Sequence, residues 1–210
     1  MVDFKNECGL TTIKDIVTTD STLSRIYGFI LYSDRNPYVV KVLQDDAFWN
    51  SLNEISGSNW PIFAVRPLRD GCYDCDAPRL GKTNGFYEMV PIWKEPKDNL
   101  RVLNDFGLKS SEDFPLFVAF MWDDEDKFHQ VSIPIRGKDV DSTYKYLEKI
   151  VQTISDTEAK VAPEYKHSVN VFRNVAEQLQ SLDAQTVFVE NVKLVKSLYD
   201  FFSFLKGFFK

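Results

Sequence analysis

The residues best equipped for chemistry in this 210-residue chain are two cysteines, in Cys72-Tyr73-Asp74-Cys75. A C-x-x-C pair supports different chemistries according to what surrounds it. As a reactive dithiol it needs a helix whose N-terminus lowers the pKa of the first thiol. Here ten residues separate Cys75 from Phe86, and Pro78, Gly81 and Gly85 lie among them, so a helix of several turns does not fit. As half of a zinc site the pair needs two further ligands. No second C-x-x-C exists, so Cys8 with His129 or His167, or the matching pair of another subunit, would have to supply them. The third reading is ordinary loop cysteines, free or opportunistically oxidised. A thiol–disulfide or zinc role for Cys72 and Cys75 is the alternative reading of the whole protein, and no cofactor other than zinc is suggested.

Other chemistry-bearing residues form no recognisable site. His129 falls in a predicted strand and His167 near a predicted helix start, with no serine or cysteine in an elbow-like context to make a triad. The run Asp123-Asp124-Glu125-Asp126 lacks the spacing and glycine of a calcium loop and reads as a solvated hairpin turn. Gly81-Lys82-Thr83 resembles the end of a phosphate-binding loop, but position 76 is Asp where the first glycine belongs. More informative is Ser33-Asp34-Arg35-Asn36-Pro37-Tyr38-Val39, polar and free of thiols, where an apolar strand runs into a helix. Asp34 or Asn36 can accept hydrogen bonds from the helix amides, and Pro37 suits the first helical turn. Such a turn can bind an anion or a peptide backbone, with Arg35 contributing, or act simply as a cap and a solvated turn.

The elements that must position these residues are legible in the apolar pattern. Residues 1–24 read as a polar N-terminal arm. Ile26 to Tyr32 is a short apolar and aromatic run that suits a buried strand. From Tyr38 the spacing turns helical, through Val39, Val42, Leu43, Ala47, Trp49, Leu52 and Ile55, with Gly57 closing the helix. A second strand follows over Pro61–Val65. Periodicity then fails from Arg69 to about Asp98, which reads as an insertion or a functional loop. A helix over Asn99–Leu108 leads through Phe114-Pro115 into the strand Leu116–Trp122, and a second strand pairs back over Phe128–Ile135. Gly137 and Asp139 introduce a further helix with Val140, Tyr144, Leu147, Ile150, Val151 and Ile154 on one face.

The order strand, helix, strand, insertion, helix, strand, strand, helix resembles the thioredoxin-like family over about residues 25–155. The closest piece is Phe106-Gly107-Leu108 followed by Phe114-Pro115-Leu116-Phe117-Val118, similar to the family segment in which a cis-proline opens the third sheet strand. The resemblance implies an α/β fold with a central mixed sheet flanked by helices. It also implies a groove that holds extended peptides beside the proline, making Asp34, Arg35, Tyr38, Phe114 and Pro115 the expected contacts. The chain departs from the family where the redox cysteines would stand, at 33–39. Dithiol chemistry is therefore not expected there, and the implied role is a non-redox binding or assembly module.

Residues 160–210 form a distinct C-terminal extension, predicted as a helical hairpin over Tyr165–Leu182 and Thr186–Phe209. In the last helix Lys193, Lys196, Asp200, Ser203, Gly207 and Lys210 recur at three- and four-residue steps as a narrow polar stripe. Such a helix needs cover on most sides. Val169, Phe172, Val175, Ala176 and Leu179 of the preceding helix could provide it, as could a homodimer or a protein partner; a membrane surface fits less well, for want of a cationic face. Charge and composition narrow the setting. With 31 acidic against 25 basic residues and no Lys/Arg-rich run, nucleic-acid binding is not expected. Polar residues at Met1–Leu10 argue against a secretory signal, and no apolar stretch is long enough for a membrane span. Three cysteines, an odd number, suit a reducing interior, so the expected location is cytoplasmic.

Overall fold

The computed structural model describes residues 26–33, 35–56, 60, 62–64, 114–122, 127–162, 165 and 168–190. They form β1 (Ile26–Leu31), α1 (Pro37–Gln44), α2 (Asp46–Ser56), β2 (Ile62–Ala64), β3 (Leu116–Trp122), β4 (Phe128–Pro134), α3 (Val140–Ala159), α4 (Val169–Leu182) and β5 (Val187–Val189). The five strands make one mixed sheet in the order β2-β1-β3-β4-β5, with β1 and β2 parallel and every other pair antiparallel. The chain is thus an α/β protein, as its apolar pattern predicts.

The continuous apolar runs of β1 and β3 belong to strands buried on both faces. Register sorts their side chains. Ile26, Gly28 and Ile30 pair with Met121, Ala119 and Phe117, which pair in turn with His129, Val131 and Ile133, so these residues share one face. Buried residues of all four helices cluster with that face, among them Val42, Leu52, Leu147, Ile150, Phe172 and Leu179. The other face carries Tyr27, Phe29, Leu31, Val118 and Phe120, all buried, with Phe29 and Phe120 edge-on at 5.9 Å. Gly28 is required by close approach: a Cβ there would lie 2.6 Å from the Trp60 ring and 2.7 Å from that of Phe117. Trp60 is held in place by its indole N–H, which donates to Ser155 Oγ at 3.1 Å, and Ser155 Oγ donates to the Ile55 carbonyl at 3.0 Å.

Three boundaries differ from the sequence reading. The single helix expected from Tyr38 to Ile55 is two helices, because Asp45 adopts an extended conformation (φ −82°, ψ 120°) and its carboxylate accepts from the amides of Ala47 at 2.8 Å and Phe48 at 3.3 Å. The side chain thereby starts a second helix in a new direction. The helix expected from Tyr165 begins instead at Val169, capped by Ser168 Oγ, which accepts from the Asn170 amide at 3.2 Å. The helix expected from Thr186 does not start there: Val187-Phe188-Val189 pair with Ser132, Val131 and Gln130 as a strand. Alternating β-branched residues meeting the free edge of β4 override a helical preference that rested on apolar density. Residues 191–210 lie outside the described residues, as do Gly57, Asn99–Leu108 and residues 123–126.

Candidate functional site

The end of β1 and the start of β3 bring the expected contacts to one end of the sheet. Leu31 pairs with Leu116, so Tyr32 and Ser33 leave β1 at the end of the pair where Phe114 and Pro115 enter β3. The Phe114–Pro115 peptide bond is cis. On its other side the Pro115 carbonyl accepts from the Ile135 amide at 2.7 Å, extending the β3–β4 ladder to this corner. Phe114 and Pro115 are half-buried, while Arg35 and Tyr38 are exposed. Asp34, Cys72 and Cys75 lie outside the described residues, as do Cys8 and His167. His129, offered as a zinc ligand, is a buried residue of β4 that shares the helix-covered face with Met121.

The turn between β1 and α1 is built by two polar side chains. Asn36 Oδ1 accepts from the Ser33 amide at 2.8 Å and from Ser33 Oγ at 3.2 Å, while the Asn36 amide donates to the Ser33 carbonyl at 3.0 Å. Ser33 Oγ also accepts from the Arg35 amide at 3.3 Å. Asn36 is therefore committed backwards. It occupies the N-cap position of α1 but makes no side-chain bond to the helix, so of the two caps expected, Asp34 or Asn36, Asn36 does not serve, and Asp34 lies outside the described residues. Helix geometry gives the amides of Tyr38 and Val39 no acceptor within the helix, and Pro37 has no N–H to satisfy. Arg35 has no ion-pair partner among the described residues.

Next to this turn lies a corner with the opposite character. Arg136 follows Ile135, the partner of Pro115. Its Nε donates to Asp183 Oδ2 at 2.8 Å and its Nη2 to Gln185 Oε1. The Tyr146 hydroxyl donates to the same carboxylate oxygen at 3.1 Å. The hydrogen bond from Arg136 holds the Asp183 carboxyl below its ordinary pKa, and the guanidinium is raised in return. Burial, followed by the bond to Asp183, pushes the Tyr146 phenol above its usual range. Gly137 then runs hard against α3: a Cβ would lie 2.0 Å from Thr143 Oγ1 and 2.7 Å from the Thr143 backbone. Asp139 and Ser142 close a capping box on α3, with Ser142 N donating to Asp139 Oδ1 at 2.7 Å and Asp139 N donating to Ser142 Oγ at 3.2 Å.

The sequence reading singled out neither Ser33 nor the Arg136–Asp183–Tyr146 cluster. Ser33 had a local signal, since a serine three residues before an asparagine and a proline is a turn former. The cluster had none, because Arg136 and Asp183 are separated by two helices. An open cleft of about 420 Å³, lined by Lys41, Gln44, Asp45, Phe48 and Val140, lies where α1 and α2 meet the start of α3. Among the described residues no group of three or more His, Cys, Asp or Glu side chains could hold a metal ion. No described helix is long and apolar enough to cross a membrane. No family model, curated protein or solved structure matches the chain.

Proposed function

We propose that this protein is a non-redox, thioredoxin-like binding module that holds an extended segment of a peptide or protein partner at the corner formed by Pro115 and the 33–38 turn. The observation that carries the reading is the uncommitted polarity of that turn. Among the described residues no side chain caps the first-turn amides of α1, since Asn36 bonds back to Ser33, and Arg35 beside them has no ion-pair partner. Amides at a helix N-terminus favour carboxylate or carbonyl oxygens, and the guanidinium adds planar, multidentate donation. Tyr38, exposed, and Phe114, half-buried, add aromatic surface. The parallel β1–β2 pair joined to the antiparallel β3–β4 pair supports the thioredoxin-like part of the reading. In that frame the position from which the family attacks disulfides carries Ser33, Arg35, Asn36 and Pro37 and no thiol.

The test is selection of peptides from a random library on the purified full chain, followed by titration against the Arg35→Ala and Tyr38→Ala variants. A selected peptide whose affinity falls about tenfold with either substitution, a loss of roughly 1.4 kcal/mol, supports the site. Peptides that bind both variants unchanged remove it. Robust insulin reduction with dithiothreitol as electron donor would overturn the non-redox part.

A further inference from the structure

β5 is as short as β2, three residues, but its Val187 and Val189 are 54% and 42% exposed, whereas Ile62 and Ala64 of β2 are buried. Phe188 alone turns toward the core, where its ring meets that of Phe172 with centroids 5.9 Å apart. One partly buried side chain gives a strand little apolar area to hold it. The two ends of β5, by contrast, are each tied to other elements by charge. Before it, Asp183 accepts from Arg136, which follows β4, and from Tyr146 of α3, while Gln185 accepts from the same guanidinium. After it, Glu190 receives both Nε and Nη2 of Arg173 on α4, at 2.6 and 3.0 Å. These ion pairs are at or near the surface, where such contacts are weak and sensitive to salt.

We propose that β5 is a detachable edge strand, clasped onto β4 at its two ends by the Arg136–Asp183 and Arg173–Glu190 pairs, and that it opens as a unit while β1, β3 and β4 stay folded. The proposal is independent of the peptide-binding reading. Opening uncovers the β4 edge at Gln130, Val131 and Ser132, which β5 otherwise pairs with. Local opening of this kind is expected where few apolar contacts and many exposed polar ones hold an element. The groups facing the two carboxylates are Arg136 and Tyr146 at Asp183, and Arg173 and His129 at Glu190.

Native-state amide exchange on the intact chain tests this, with rates for β5 expressed relative to Phe117–Phe120 of β3. The hydrogen-bonded amides of β5 are expected to exchange at least about a hundredfold faster than those of β3. Raising NaCl from low millimolar to 1 M should widen that ratio by roughly threefold or more, because the Debye length shrinks to about 3 Å. The double variant Arg136→Gln, Arg173→Gln should widen it similarly at low salt. Exchange of β5 in step with β3 would overturn the proposal, as would a ratio that moves with neither salt nor the double substitution; the salt arm does not depend on the variant folding.

Discussion

Two corners meet at one end of the sheet, and they differ in how their polar groups are satisfied. At residues 135–139 the side chains of Arg136 and Asp139 and the amides of Ile135, Lys138 and Asp139 have internal partners, and Gly137 lies against α3. At residues 33–38 Ser33 and Asn36 bond to each other, while among the described residues Arg35 has no ion-pair partner and the first amides of α1 have no side-chain cap. The first corner holds the fold together. The second has groups to spare for a ligand. Substitution of the internally bonded groups, including Asn36 of the second corner, should therefore cost stability, and substitution of Arg35 should cost binding.

The largest expected effect is at Gly137. Alanine there forces a methyl group into the Thr143 backbone, and urea denaturation should show a loss of about 1–3 kcal/mol, the range for overpacking. An unchanged midpoint would mean that this corner is less rigid than its contacts imply. Next is Asn36→Ala, which removes the acceptor for the Ser33 amide and should cost about 1 kcal/mol, as for one internal hydrogen bond. A loss at or above that of Gly137→Ala would erase the contrast between the corners.

Arg136→Ala should cost less, at most about 1 kcal/mol, because nearly half of the arginine side chain is exposed and solvent screens the pair. Its signature is in the pH dependence. The folded carboxyl of Asp183 lies below its unfolded value, so its contribution is fully present above about pH 3.9 and is lost as pH falls through the lower folded value. Removing Arg136 should flatten the fall of stability below about pH 4, and an unaltered acid limb would show that the pair contributes nothing. The smallest effect is expected from Arg35→Ala, within about 0.5 kcal/mol of wild type in denaturation. A larger loss would give Arg35 a structural role and weaken its assignment to binding.

Local pattern carried much of the fold. β3 runs from Leu116 to Trp122, the limits its apolar run predicts, and Gly137 with Asp139 marks the start of α3. What escaped was decided by partners distant in sequence or by a single side chain. The apolar spacing passes straight through Asp45, yet that carboxylate caps α2 and divides the helix. Thr186-Val187-Phe188-Val189 reads as the beginning of a dense apolar helix until β4 is present to pair with it. At the candidate site, Pro115 and the 33–38 turn were legible because each has its own turn chemistry. The clasp around Asp183 was not, since nothing local in Arg136, Tyr146 or Asp183 announces the other two.

The Trp60 ring over Gly28 ties two positions in different parts of the chain into one volume. The side chain missing from the middle of β1 is the space that the indole fills, and the indole is fixed by Ser155. Neither site can change alone at low cost. Alanine at Gly28 collides with the ring, whereas a smaller residue at Trp60 leaves a hole above a glycine that cannot fill it. A smaller residue at Trp60 would relieve only one of the two close approaches at position 28, because the Phe117 ring would still stand 2.7 Å from a Cβ there.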